Sequence, residues 1–253
     1  GQWLELDFQH LRAIDVSAES LTNLEVRYQQ RLSTVGDYAD YQAVGMTISD
    51  LRLDEAGLLQ DIEMAVDAID YSGEGLMLAT RLAWRKQFGL LTSACKPVYG
   101  VDLQHQHYDQ ITQLNSIYAG GYLGIGCDNK TVRWDIGLKI GQNLALGQRP
   151  GDNENIVQLE INTDLSPDWF SAKDRLELMG VITTQRQTSI YSDLLLPLEK
   201  RELNRVTIDL KYSLPVQPGL QASMGLEINR QDSNFKLFKL NTSEIYLALE
   251  KIW

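Results

Sequence analysis

The chain ends on Ile245-Tyr246-Leu247-Ala248-Leu249-Glu250-Lys251-Ile252-Trp253, in which Ile245, Leu247 and Leu249 alternate with Tyr246, Ala248 and Glu250 before an aromatic terminus. Period-two alternation marks a strand with one apolar and one polar face. A terminal strand of this kind, closed by an aromatic ring suited to a membrane interface, is how strands that seal a barrel against their first neighbour end.

Working back from the terminus, the same alternation recurs. Ile62, Met64, Val66 and Ala68 oppose Asp61, Glu63, Ala65 and Asp67; Leu76, Leu78, Leu82 and Trp84 oppose Arg81 and Arg85. Val132, Trp134, Ile136, Leu138 and Ile140 oppose Arg133, Asp135 and Lys139. Val206, Ile208, Leu210 and Tyr212 oppose Thr207, Asp209 and Lys211, and Leu220, Ala222, Met224, Leu226 and Ile228 oppose Gln221, Ser223 and Glu227. These runs last roughly 10 to 15 residues, longer than the 5 to 6 typical of soluble sheets and enough for a tilted strand to cross a bilayer. Turn-forming residues separate them at 17–20, 54–57, 72–75, 128–130, 166–168 and 215–219, with longer polar links near 142–155, 191–202 and 230–241. Short and long links therefore alternate from about residue 115. Short periplasmic turns and longer outer loops make that pattern.

The expected fold is all-β: one domain over 1–253, a transmembrane antiparallel up-and-down β-barrel of about 14 strands, with 12 as the alternative even count. The count turns on residues 90–108, which make one strand if Lys96 and Pro97 are carried through, giving 13, and two if they break it. The opening Gly1 runs straight into a strand pattern with no initiator Met, which predicts that a signal or a longer N-terminal part has been removed.

A net charge of −11 and the absence of any Lys/Arg cluster argue against a nucleic-acid partner. No apolar run reaches the length of a membrane-spanning helix, and a modestly negative mean hydropathy is compatible with alternating barrel strands. Cys95 and Cys127 have neither CxxC spacing nor a histidine at ligand spacing, so no metal is expected; a disulfide and two buried thiols both remain open.

Arg or Lys at the bilayer midplane costs roughly 2 to 4 kcal/mol on the lipid face of a barrel. The charged face must then line the lumen, and the candidates are Asp61, Glu63, Asp67, Arg81, Arg85, Arg133, Asp135, Lys139, Asp209 and Lys211. They read first as a cross-strand structural network and second as the wall of a wet, selective conduit. Trp84, Trp134, Tyr246 and Trp253 are the candidate interfacial aromatics. His105 and His107 share a strand face, yet no nucleophile motif and no HExxH or GxSxG accompanies them, so neither catalysis nor a cofactor is expected. Gly120, Gly121, Gly124 and Gly126 lie in a strand pattern rather than before a helix, which suits sheet curvature or bulky neighbours better than a phosphate loop. Two Asn-x-Ser/Thr triplets, at Asn129 and Asn241, are at chance level.

The closing segment from Arg230 to Trp253, with its Asp232-Ser233-Asn234 loop and alternating final strand, resembles the last hairpin of the C-terminal barrels of tetratricopeptide-repeat outer-membrane export proteins of the surface lipoprotein assembly modifier type. The run from Asp174 to Leu214, with Tyr191-Ser192-Asp193-Leu194-Leu195 and Arg201-Glu202, is similar in layout. The chain departs from that family in showing no 34-residue helical repeat and in ending on Trp, where Phe is commoner. The resemblance implies a barrel through or beside which a protein or polymer reaches the surface of a Gram-negative cell. Outer-membrane lipids and other envelope or secretion proteins would be its partners. The competing expectation is a structural barrel, filled by its own side chains, that anchors or caps an envelope complex.

Overall fold

The computed structural model describes residues 3–33, 41–55, 57–71, 75–89, 94–129, 131–167, 173–191, 199–217 and 220–251. Thirteen strands account for most of them: β1 (Trp3–Val16), β2 (Ser20–Ser33), β3 (Tyr41–Leu53), β4 (Leu59–Tyr71), β5 (Gly75–Gln87), β6 (Cys95–Tyr108), β7 (Ser116–Asp128), β8 (Val132–Ala145), β9 (Glu154–Leu165), β10 (Arg175–Gln187), β11 (Glu202–Gln217), β12 (Leu220–Ser233) and β13 (Leu240–Lys251). They form one sheet in strictly sequential order. The described residues contain no α-helix, only 3-10 turns at Thr112–Leu114 and Lys236–Phe238.

This is the all-β up-and-down architecture that the alternation predicts, with 13 strands rather than 14. The difference lies in β6, which continues through Lys96 and Pro97. Proline has no N–H to give, but near the start of a strand its carbonyl still serves the ladder, here by accepting from Phe88 N at 3.0 Å. Among the described residues β1 pairs only with β2 and β13 only with β12, so no ladder joins the first strand to the last.

Short side chains shape the turns. Asn129 Oδ1 accepts from Thr131 N and Val132 N at 3.1 and 2.9 Å, Asp54 Oδ1 accepts from Leu58 N at 2.9 Å, and Ser17 Oγ accepts from Ser20 N at 2.9 Å. Gly57, at φ 70°, supplies the left-handed step beside Asp54. β9 ends at Leu165 and β10 begins at Arg175; of the Ser166–Asp168 turn expected between them, Asp168 lies outside the described residues. Cys95, opening β6, and Cys127, near the end of β7, form a disulfide with Cα atoms 4.1 Å apart. The alternative of two free buried thiols is thereby excluded.

The chain divides into two compact units: Gly1–Gln87 with Tyr99–Gly121 and Gly141–Asn153, and Phe88–Val98 with Tyr122–Ile140 and Glu154–Trp253. In both, burial runs opposite to that of a water-soluble core. Large apolar side chains are exposed on one face: Val44, Met46, Ile48, Met64, Val66, Leu78, Leu82, Val101 and Leu103 in the first unit, and Ile136, Leu138, Val206, Ile208, Ile245, Leu247 and Leu249 in the second, with Leu247 81% exposed. The buried residues are chiefly small or polar, among them Ala65, Ala79, Ala83, Asp102, Ser116, Thr183, Ser213 and Ser223. Soluble proteins bury Leu, Ile, Val and Met first.

Candidate functional site

Strand register decides which side chains share a face. In the first unit Asp61 lies opposite Arg85, Glu63 opposite Ala83, Ala65 opposite Arg81 and Asp67 opposite Ala79, so all five predicted residues there stand on the polar face. Arg81 Nη1 is 3.2 Å from Glu63 Oε1. Arg27 Nη2 donates to Asp67 Oδ1 at 3.2 Å, bridging β2 and β4 above Gly45, where a Cβ would collide with the Asp67 carboxylate. Arg85 Nη2 donates to both oxygens of Asp102 at 2.9 and 2.8 Å, and its Nη1 donates to the carbonyls of Trp84 and Val101. Asp102 is 4% exposed and also has Arg81 at 3.8 Å. Burial of a carboxylate is tolerable only with such partners. Asp61 differs: its Oδ1 is buried without a hydrogen-bond partner.

Asp102 was not among the predicted residues, although Tyr99, Val101 and Leu103 alternate with Gly100, Asp102 and Gln104, and that parity aligns it with the polar face.

In the second unit Arg133, Asp135, Asp209 and Lys211 come together with Asn162, Asp164, Arg175, Glu177 and Met179 around a depression of about 380 Å³. Arg175 grips Asp164 through Nε and Nη2 at 3.0 and 2.6 Å and reaches Glu177 at 3.0 Å. Asn162 Nδ2 donates to Asp135 at 2.8 Å. Lys139 stands apart from the depression, paired with Glu160. Asp209, Glu227 and Glu244 are direct register partners on β11, β12 and β13, a row of three carboxylates. Like charges placed directly opposite each other are destabilising; here Asp209 accepts from the Tyr246 hydroxyl and Glu227 from Asn229 Nδ2.

Trp84 lies on the apolar face of the first unit with Ile62, edge-on to Tyr99 at 5.3 Å, and Trp134 on that of the second with Ile136. Tyr246 does not join them, because its register partner is Gly225 on the polar face. Its ring lies over Gly225 and its hydroxyl donates to Asp209 at 3.4 Å. The interfacial role expected of Tyr246 is thus corrected. Trp253 lies outside the described residues. Tyr122 covers Gly137 in the same way, and Tyr118 covers Gly141. A ring laid over a glycine on the neighbouring strand shields backbone that would otherwise be bare.

His105 and His107 follow Val101 and Leu103 on the apolar face, rings 6.4 Å apart, and His107 Nδ1 lies 3.2 Å from Asn115 Nδ2. Among the described residues no group of three or more His, Cys, Asp or Glu is arranged to hold a metal ion.

No protein-family profile matches the chain, and no curated protein matches it. Among solved structures, the alcaligin outer-membrane receptor FauA of Bordetella pertussis aligns over 97% of this chain at 11% identity and a TM-score of 0.39. The chain spans 56% of that receptor's length. A likeness of that degree carries no argument about this chain.

Proposed function

We propose that this chain is an outer-membrane β-barrel whose polar face lines a passage, serving as an export or translocation component for a protein or polymer. The observation that carries the reading is the inverted burial: leucines, isoleucines, valines and methionines exposed on one face, aspartates, serines and threonines buried on the other. Apolar side chains on that scale are stable facing acyl chains and are an aggregation hazard in water. Strands of 12 to 16 residues suffice to cross the hydrocarbon layer at a tilt. The depression and the carboxylate row give the second unit an open, wet surface of the kind a passage needs. The export role itself draws on the resemblance of the Arg230–Trp253 hairpin to surface lipoprotein assembly modifiers.

A structural barrel is the second reading, favoured by the first unit, where Arg27, Arg81 and Arg85 are each consumed by carboxylates of neighbouring strands.

Electrophoresis of detergent-extracted protein in SDS, with and without boiling, tests the fold-level reading. A heat-dependent mobility shift is the expected result; no shift, with the protein recovered in the aqueous fraction, would sink it. Planar-bilayer recording then separates the two roles: discrete conductance steps support a passage, and a sealed bilayer supports an anchor.

A further inference from the structure

The apolar face of β12 and β13 turns charged at one end. On β12 it runs through Leu220, Ala222, Met224, Leu226 and Ile228 and then meets Arg230 and Asp232. On β13 it runs back from Leu249, Leu247 and Ile245 through Ser243 and Asn241, with Lys239 just before the strand. Register joins the two tracks: Met224 lies opposite Leu247, Leu226 opposite Ile245 and Arg230 opposite Asn241. Met224, Ile245 and Leu247 are all exposed.

At the charged end Asp232 is held from two sides, by Arg230 Nε at 3.3 Å from Oδ2 and by Lys239 Nζ at 3.4 Å from Oδ1. Two cations share one carboxylate, so this cluster keeps a positive charge in a chain whose net charge is −11. The cations are also open: the side chains of Arg230 and Lys239 are 67% and 50% exposed. Among the described residues Arg230 donates no hydrogen bond through Nη1 or Nη2, so the carboxylate fixes the Nε edge of the guanidinium and leaves its outer edge for another acceptor. Exposed ion pairs are weak, and the arginine fork suits phosphate oxygens. On the same face of β10, by contrast, Arg186 is matched one to one by Glu202 at 2.9 Å.

The depth fits a lipid. From Leu220 to Ile228 the strand covers about 27 Å, which at a tilt of about 40° rises about 21 Å, most of an apolar band about 25 Å tall. Arg230 and Lys239 therefore stand where the acyl layer gives way to headgroups, the level at which cations on a barrel's outer face cost little.

We infer that Arg230 and Lys239 form a binding site for the phosphate of an anionic lipid headgroup, with an acyl chain lying along Met224, Leu226, Ile245 and Leu247. The inference rests on the outer-membrane reading and adds to it a lipid partner held at named residues.

Native mass spectrometry of the full chain in detergent, titrated with phosphatidylglycerol, tests this. Phosphatidylglycerol should be retained several-fold more strongly than phosphatidylcholine, whose choline offsets the phosphate charge, and glycerol phosphate, which has no acyl chain, should not be retained. Arg230→Gln with Lys239→Gln should weaken phosphatidylglycerol on the order of ten-fold and leave phosphatidylcholine unchanged. Two single variants should change little: Arg186→Gln, on the same face, and Arg205→Gln, whose side chain donates to Gln231 on the polar face at the same strand end. Equal retention by the parent and the double variant would overturn the site. So would a comparable loss in Arg186→Gln or Arg205→Gln, which would make the effect one of net charge, and so would retention of glycerol phosphate or phosphatidylcholine as strong as that of phosphatidylglycerol. Should the double variant lose the heat-dependent mobility shift, Arg230→Gln alone decides, with a loss of about three-fold expected. The same shift keeps the two readings apart: a shift in the parent with lipid retention indifferent to these substitutions sinks the site alone, and no shift in the parent sinks the outer-membrane reading beneath it.

Discussion

The two units present the same alternating face and use it differently. In the first, cations are matched to carboxylates across neighbouring strands: Arg27 to Asp67, Arg81 to Glu63, Arg85 to Asp102. In the second, Arg175 and Lys139 also pair across strands, with Asp164 and Glu160, but charged side chains stand around a depression and three carboxylates of β11, β12 and β13 are direct register partners. Alternation alone determines that a face is polar. Whether that face is filled or open depends on which charges register places opposite which, and on how deeply each pair is buried.

The sharpest way to break the comparison is at Arg85. Arg85→Ala leaves Asp102, 4% exposed, without its two charge-assisted hydrogen bonds, and should cost about 3 to 5 kcal/mol, as when one partner of a buried pair is removed. Denaturant titration in micelles measures it, and a loss below about 1 kcal/mol would mean that the first unit is no more tightly knit than the second. Replacing both partners, Arg85→Met with Asp102→Leu, should recover most of that loss.

Next comes packing. Gly225→Ala in the second unit drives a Cβ into the Tyr246 ring, and Gly141→Ala in the first drives one into both the Tyr118 ring and the Ala119 backbone carbonyl. Each should cost about 1 to 3 kcal/mol by overpacking, Gly141→Ala the more, because backbone gives way less readily than a side chain. A cost at Gly225→Ala equal to or above that at Gly141→Ala in the same titration would overturn that order. The smallest stability effect is expected at Arg175→Ala. Its side chain is 52% exposed, so the loss should stay below about 1 kcal/mol, while reversal potentials across a bilayer should shift because a charge at the depression is gone. A loss as large as that of Arg85→Ala would erase the contrast.

Much of this was legible in the residues. Parity of alternation places the five predicted charged residues of the first unit on its polar face and the five of the second on that unit's polar face, since a one-residue slip would have inverted a whole strand. Tyr246 is the exception: its parity opposite Ile245, Leu247 and Leu249 already sets it on the polar face, and its ring over Gly225 agrees with that parity and not with an interfacial role. Asp102 was hidden by the uncertainty over Pro97, which obscured where β6 begins. The ion pair of Glu154 and Arg201 was beyond reach for another reason: the two are separated by 47 positions, one opening β9 and the other just before β11, and meet only once β9, β10 and β11 lie side by side.

The Cys95–Cys127 bridge ties the first residue of β6 to the far end of β7, turning that hairpin into a covalent ring. A protease that cuts within the 109–115 link would therefore break the backbone without dividing the molecule. The fragment bearing β1–β6 and the fragment bearing β7–β13 would migrate as one species in denaturing gels until a reductant is added.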